Sequence, residues 1–85
     1  MAYYVYIIQS LSDRTYYVGS TQNVEDRIER HNQGRSQYTK TKRPWQLVYT
    51  EEYLNKSDAI KRENQIKRRK RKNYIDSLIA QYTAA

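Results

Sequence analysis

Tyr3-Tyr4-Val5-Tyr6-Ile7-Ile8 and Thr15-Tyr16-Tyr17-Val18-Gly19 are two runs of aromatic and β-branched residues separated by a short polar segment. Such residues suit a pleated, half-buried surface, and Ser10, Ser12 and Asp13 between the runs are turn formers. The stretch reads as a β-hairpin. It has no Asn-Gly or Asp-Gly pair, so the turn type stays open. Alternation places Tyr4, Tyr6 and Ile8 on one face of the first strand, and Thr15, Tyr17 and Gly19 on one face of the second. Tyr6 and Tyr17 are therefore expected to meet across the hairpin, while Tyr3, Val5, Tyr16 and Val18 pack on the other side.

The chain around this hairpin has 85 residues. That is enough for a single small domain over residues 1–85 with one modest core. With no cysteine, it has neither a disulfide framework nor a thiolate zinc site. Neither a long apolar run nor a signal-peptide pattern stands out, so a cytoplasmic location without membrane attachment is expected.

The net charge of +7 is unevenly placed. Between Ile60 and Asn73 eight basic residues (Lys61, Arg62, Lys67, Arg68, Arg69, Lys70, Arg71 and Lys72) face one acid, Glu63. Arg35, Lys40, Lys42 and Arg43 form a second basic cluster. Two such clusters point to a polyanion, with nucleic acid the leading partner. The plainer alternative is a solvated helix face. A membrane-surface role fits less well, because the basic helix has few large apolar residues opposite its charges.

In chain order, Asn23 is placed to cap a helix whose first turn holds Glu25 and Asp26, with Val24 and Ile28 as its apolar stripe and Gly34 as its stop. Arg27 and His31, four apart, share another row of that helix. Arg35 to Pro44 reads as a basic loop with one helical turn near Tyr38. Trp45 to Tyr53 alternates as a third strand, with Trp45, Leu47 and Tyr49 on one face. Asn55 and Asp58 open a helix that continues through the basic block, where Ala59, Ile60, Glu63 and Ile66 form a stripe. Glu63 thus sits where an apolar residue is expected, and a carboxylate there needs a specific partner, Arg62 or Lys67 being nearest. Asn73 is expected to cap a last helix that docks through Ile75, Leu78, Ile79 and Tyr82.

Hydrolysis of a phosphodiester needs an in-line water, a group to take its proton, cationic stabilisation and commonly a divalent ion. The chain offers candidates for the cation, for the proton acceptor and for the ligand that would hold the ion. Glu63 is an oxygen ligand suited to Mg²⁺, which often takes only one or two carboxylates, and Arg27 can stabilise phosphoryl oxygens through forked hydrogen bonds. The proton acceptor is either Tyr17, which would need help because a free tyrosine is ionised to about one part in a thousand at neutral pH, or His31. No P-loop, Rossmann glycine pattern or His-Glu-x-x-His occurs.

The ordered set Tyr4-Val5-Tyr6, Tyr17-Val18-Gly19, Arg27, His31 and Glu63 resembles the GIY-YIG nuclease superfamily, and more narrowly its small bacterial members related to the nuclease module of the DNA-repair protein UvrC. The likeness runs from Tyr3 to about Lys70. It implies an α+β fold, a three-stranded antiparallel sheet flanked by helices in the order β-β-α-β-α-α. It also implies DNA cleavage with one Mg²⁺ or Mn²⁺, branched or structured nucleic acid being among the candidate substrates. Carried over, Tyr6 and Tyr17 match the two motif tyrosines, with Tyr17 the favoured general base. Gly19 matches the closing glycine beside the substrate. Arg27 matches the transition-state arginine, His31 the residue one turn later, and Glu63 the metal-ligating carboxylate. Tyr4 stands where the first motif usually has glycine, and Ser20 where some members carry lysine. A non-catalytic nucleic-acid-binding module on the same fold is the competing reading.

Overall fold

The computed structural model describes residues 2–34, 39–69 and 72–84. Three strands, β1 (Tyr3–Ser10), β2 (Tyr16–Thr21) and β3 (Trp45–Tyr53), form an antiparallel sheet in the order β2-β1-β3. Helix α1 (Val24–Asn32) follows the hairpin, a 3₁₀ turn spans Lys40–Lys42, and α2 (Lys56–Arg69) and α3 (Lys72–Ala84) complete the described chain. This is the α+β arrangement expected from the residues. Among the described residues, no helix is long and apolar enough to cross a membrane.

The hairpin turn is closed by side chains in place of an Asn-Gly pair. Ser10 Oγ accepts from the Ser12 and Asp13 amides at 3.1 and 3.2 Å, and Asp13 Oδ1 accepts from the Thr15 amide at 3.0 Å. Arg14 takes the positive φ of 67° that the turn requires. The resulting register sets Tyr6 opposite Gly19 and Tyr17 opposite Ile8. Tyr6 and Tyr17 are consequently diagonal neighbours on one face, with ring centroids 6.4 Å apart.

The two faces of the sheet bury different sets. Val5, Ile7, Val18 and Tyr49 pack against Ala59 and Ile66 of α2 and Ile75 and Leu78 of α3. Tyr6, Ile8 and Trp45 pack on the other face with Tyr17 and with Val24 and Ile28 of α1. The expected grouping of Trp45, Leu47 and Tyr49 on one face is corrected by a β-bulge. Ile7 lies opposite Tyr49 but Ile8 opposite Leu47, so Val48 is an extra residue and the alternation changes sides there. Trp45 is thereby delivered to the face that carries Tyr6 and Tyr17.

Helix α1 begins as its sequence requires, with Asn23 Oδ1 accepting from the Asp26 amide at 3.0 Å. Its C-terminal end is turned by Gly34, whose φ of +79° disfavours a side chain. Asn32 then fixes α1 to β3, accepting from the Trp45 amide at 2.6 Å and donating to the Trp45 carbonyl at 3.2 Å. In α2 the buried positions are Ala59 and Ile66, while Ile60 is 38 % exposed, so the expected stripe is corrected by rotation of the helix. Asn73 falls inside the first turn of α3 and is exposed, so it does not cap that helix.

Candidate active site

The α1 face of the sheet carries a cluster of polar aromatic rings. Tyr6 comes from the middle of β1 and is 1 % exposed. Its hydroxyl lies 3.1 Å from His31 Nε2, and His31 Nδ1 lies 2.7 Å from Thr39 Oγ1. Thr39 is in turn held by Trp45, whose indole N–H donates to its carbonyl at 2.9 Å. Tyr17, from β2, presents its half-buried ring to His31 with centroids 5.0 Å apart in an edge-on arrangement. The bulge in β3 that turned Trp45 to this side is what completes the row.

The surroundings set the proton inventory. Burial, reinforced by the neighbouring Tyr17 and by Glu63, pushes the Tyr6 hydroxyl well above the ordinary tyrosine range, against the opposing charge of Arg27. Burial, and then the Arg27 charge, hold His31 below its ordinary 6.5. Tyr6 therefore keeps its hydrogen, and the neutral imidazole donates from one ring nitrogen and accepts at the other, between Tyr6 and Thr39. Both nitrogens of His31 are engaged inside the protein. Arg27 itself is exposed on α1, and its charge reaches both Tyr6 and His31.

Gly19 is buried directly opposite Tyr6, and a Cβ there would come within 2.5 Å of the Tyr6 hydroxyl. The glycine thus makes room for a residue of the protein itself.

Glu63 reaches this region from α2, against β2, one of the two edge strands. Ser20 donates to its Oε1 at 2.6 Å and the Lys67 ammonium to its Oε2 at 2.5 Å. The same ammonium lies 5.9 Å from the centroid of the Tyr17 ring. Lys67, and not Arg62, is the answering cation. Beside Tyr17, a groove of about 730 Å³ opens between β2 and the two C-terminal helices, with Tyr16, Val18, Ile66 and Lys72 among its walls.

The basic residues separate by environment. Arg62, expected at the polyanion surface, is turned inwards: it bonds Glu51 through Nε and Nη2 and donates to Gln65 and Tyr74 through Nη1. Lys42 pairs with Asp13 at 3.6 Å, and Arg43 donates to the Lys40 carbonyl at 2.7 Å. Arg69 lies over the Tyr74 ring at 5.0 Å. Lys40, Lys61, Arg68 and Lys72 are exposed. Arg35, Lys70, Arg71 and Tyr38 lie outside the described residues.

Among the described residues no cluster of three or more His, Cys, Asp or Glu side chains gathers as a metal site. The donor set at Glu63 nonetheless suits a hard cation that keeps most of its waters: one carboxylate, fixed by Ser20, already drawing a positive charge to its second oxygen. Thr39 and Trp45 as parts of the site have no signal of their own in the sequence, since each depends on contacts between distant segments, whereas Ser20 stands out only as the place where some members carry lysine.

The chain matches the sequence model of the GIY-YIG catalytic domain over residues 2–76. It is 50 % identical over 66 residues to a UPF0213 protein of Staphylococcus haemolyticus, covering 76 % of this chain and 79 % of that protein. It is 43 % identical over 77 residues to one of Pediococcus pentosaceus, covering 89 % and 80 %. The solution structure of a UPF0213 protein from Bacillus halodurans superposes with a TM-score of 0.60 at 30 % identity, covering 95 % of this chain and 85 % of that one. With the two-tyrosine hairpin, the family match and these relatives in agreement, the chain belongs to the GIY-YIG family, among its UPF0213 proteins.

Proposed function

We propose that the protein is a divalent-metal-dependent endonuclease that hydrolyses DNA phosphodiester bonds in the cytoplasm, with Tyr6, Tyr17, Arg27, His31 and Glu63 as its reaction centre. The observation that carries this reading is the contact of Tyr17 with both His31 and Lys67, which ties the hairpin to the Glu63 carboxylate.

In this reading Tyr17 takes the proton from the attacking water. His31 serves by position, because its two nitrogens hold Tyr6 and Thr39, and Tyr6 keeps its proton. Arg27, exposed beside them, stabilises the negative charge that develops on the phosphoryl oxygens. A single Mg²⁺ or Mn²⁺ at Glu63 supplies Lewis-acid stabilisation of the reacting phosphate. Lys40, Lys61, Arg68 and Lys72 are among the exposed cations that would track phosphates, and Lys72 also lines the groove beside Tyr17.

A non-catalytic nucleic-acid-binding role draws on one observation, that both Glu63 oxygens already have partners in Ser20 and Lys67. A panel of linear, nicked, flapped and branched DNAs separates the two readings. The nuclease cleaves at least one of them with Mg²⁺ or Mn²⁺ and loses that activity in Glu63→Ala. Salt-sensitive binding without cleavage of any substrate favours the binding module.

A further inference from the structure

Lys67 stands in an unusual position for a surface lysine. Its ammonium caps Glu63 Oε2 at 2.5 Å while Ser20 holds Oε1 at 2.6 Å, so the carboxylate has a fixed orientation and one oxygen closed by a tethered cation. The Glu63 side chain is 16 % exposed and Lys67 45 % exposed. The carboxylate is therefore held in place, while the lysine has water beside it and four rotatable bonds with which to leave. The ammonium also sits 5.9 Å from the Tyr17 ring centroid, so a short swing about its own stem keeps it within the site.

Building on the assignment of Glu63 as metal ligand, we propose that Lys67 is an internal counter-ion that competes with the divalent cation for Glu63, so that metal binding must displace it. A monovalent ammonium and a hard divalent ion seek the same oxygen, and both cannot approach it without repulsion. Lys67 thus satisfies Glu63 in the metal-free protein and sets the metal concentration at which the site loads. Arg62, one residue before Glu63, cannot take over this role, because its guanidinium is bonded to Glu51.

The test is a calorimetric Mn²⁺ titration of the whole protein as wild type, Lys67→Met, Lys67→Arg and Glu63→Gln. Lys67→Met is expected to bind Mn²⁺ about fivefold tighter than wild type, the equivalent of removing one partly exposed ion pair. Lys67→Arg, which keeps the charge, should stay within about twofold of wild type. Glu63→Gln should lose the site. A lysine serving only as a helix pair would shift the melting temperature and leave the Mn²⁺ affinity unchanged. Equal or weaker binding by Lys67→Met, with the site still lost in Glu63→Gln, overturns the competition and leaves Glu63 as the ligand. Wild-type binding retained by Glu63→Gln overturns the ligand assignment and the competition together. Lys67→Gln provides the same readout if methionine disturbs the fold.

Discussion

The Tyr6 hydroxyl occupies the space that a side chain on Gly19 would need. The two residues are directly opposed in the β1–β2 register, and a Cβ on Gly19 would fall 2.5 Å from the hydroxyl oxygen and 2.7 Å from Cζ. Tyr6 is fully buried and has no room to retreat. Gly19→Ala is therefore expected to destabilise by about 1–3 kcal/mol through overpacking, measured by urea unfolding. Adding Tyr6→Phe should not restore the loss, because Cζ remains in the way. A stable Gly19→Ala protein would contradict the packing described for this pair.

Removing the Tyr6 hydroxyl alone tests the next link. Tyr6→Phe leaves a buried His31 Nε2 without its 3.1 Å partner, at an expected cost of about 1–3 kcal/mol. The His31→Phe and Tyr6→Phe changes should be less than additive, because the second removes the orphan that the first creates. Strict additivity in a double-mutant cycle would show that the pair does not interact.

The opposite face carries a separate, structural charge. Burial would raise the Glu51 carboxyl, but hydrogen bonds from Arg62, Tyr49 and Tyr53 outweigh it and hold the group below its ordinary 4.5. A carboxylate lowered in the folded state contributes stability that is complete above the unfolded value and is lost as pH falls through the folded one. His31, also lowered when folded, resists the proton that the unfolded chain accepts, so stability begins to fall below its ordinary 6.5. Thermal unfolding should thus show two declines on acidification, one below 6.5 and one below 4.5. Glu51→Gln should shrink the lower decline, leaving the part carried by Asp13, whose carboxyl Thr15 also holds low, and at neutral pH cost about 2 kcal/mol. A lower decline unchanged in that variant assigns it to other carboxylates.

Asn32 joins the end of α1 to β3 through both polar groups of Trp45's backbone. Asn32→Ala leaves the Trp45 amide without this partner and should cost about 1–3 kcal/mol. Because Trp45 also holds Thr39, the variant should broaden the NMR signals of the His31 ring as well. A lowered melting temperature with an unchanged His31 spectrum would limit Asn32 to a stapling role.

Much of this architecture is legible in the chain because local rules and tertiary packing agree. The Asn23 cap and the Gly34 stop act within a few residues, and Tyr6 and Tyr17 share a face by simple alternation. The β3 bulge breaks that alternation at Val48, and it arises from how β3 meets β1, which no property of Trp45 to Tyr53 alone expresses. Charge patterning places Arg62 at the polyanion surface, yet it is bonded to Glu51, 11 residues earlier in sequence. The α2 stripe departs from simple periodicity for a related reason. Ala59 and Ile66 set the buried line of α2, and Arg62 and Glu63 diverge from it to opposite partners, Glu51 and Ser20, leaving Ile60 at the surface.

Whether the Tyr17 hydroxyl carries the chemistry is tested most directly by comparing it with its neighbour. Tyr16 precedes it on β2 but donates to Asp76 at 2.6 Å on the other side of the sheet. In single-turnover cleavage of a DNA substrate with Mg²⁺, Tyr17→Phe should reduce the rate by about 10²-fold or more, the scale of a lost general base, while Tyr16→Phe changes it by no more than about threefold. Equal rates in Tyr17→Phe and wild type, or equal losses in the two variants, would contradict the reaction centre proposed here.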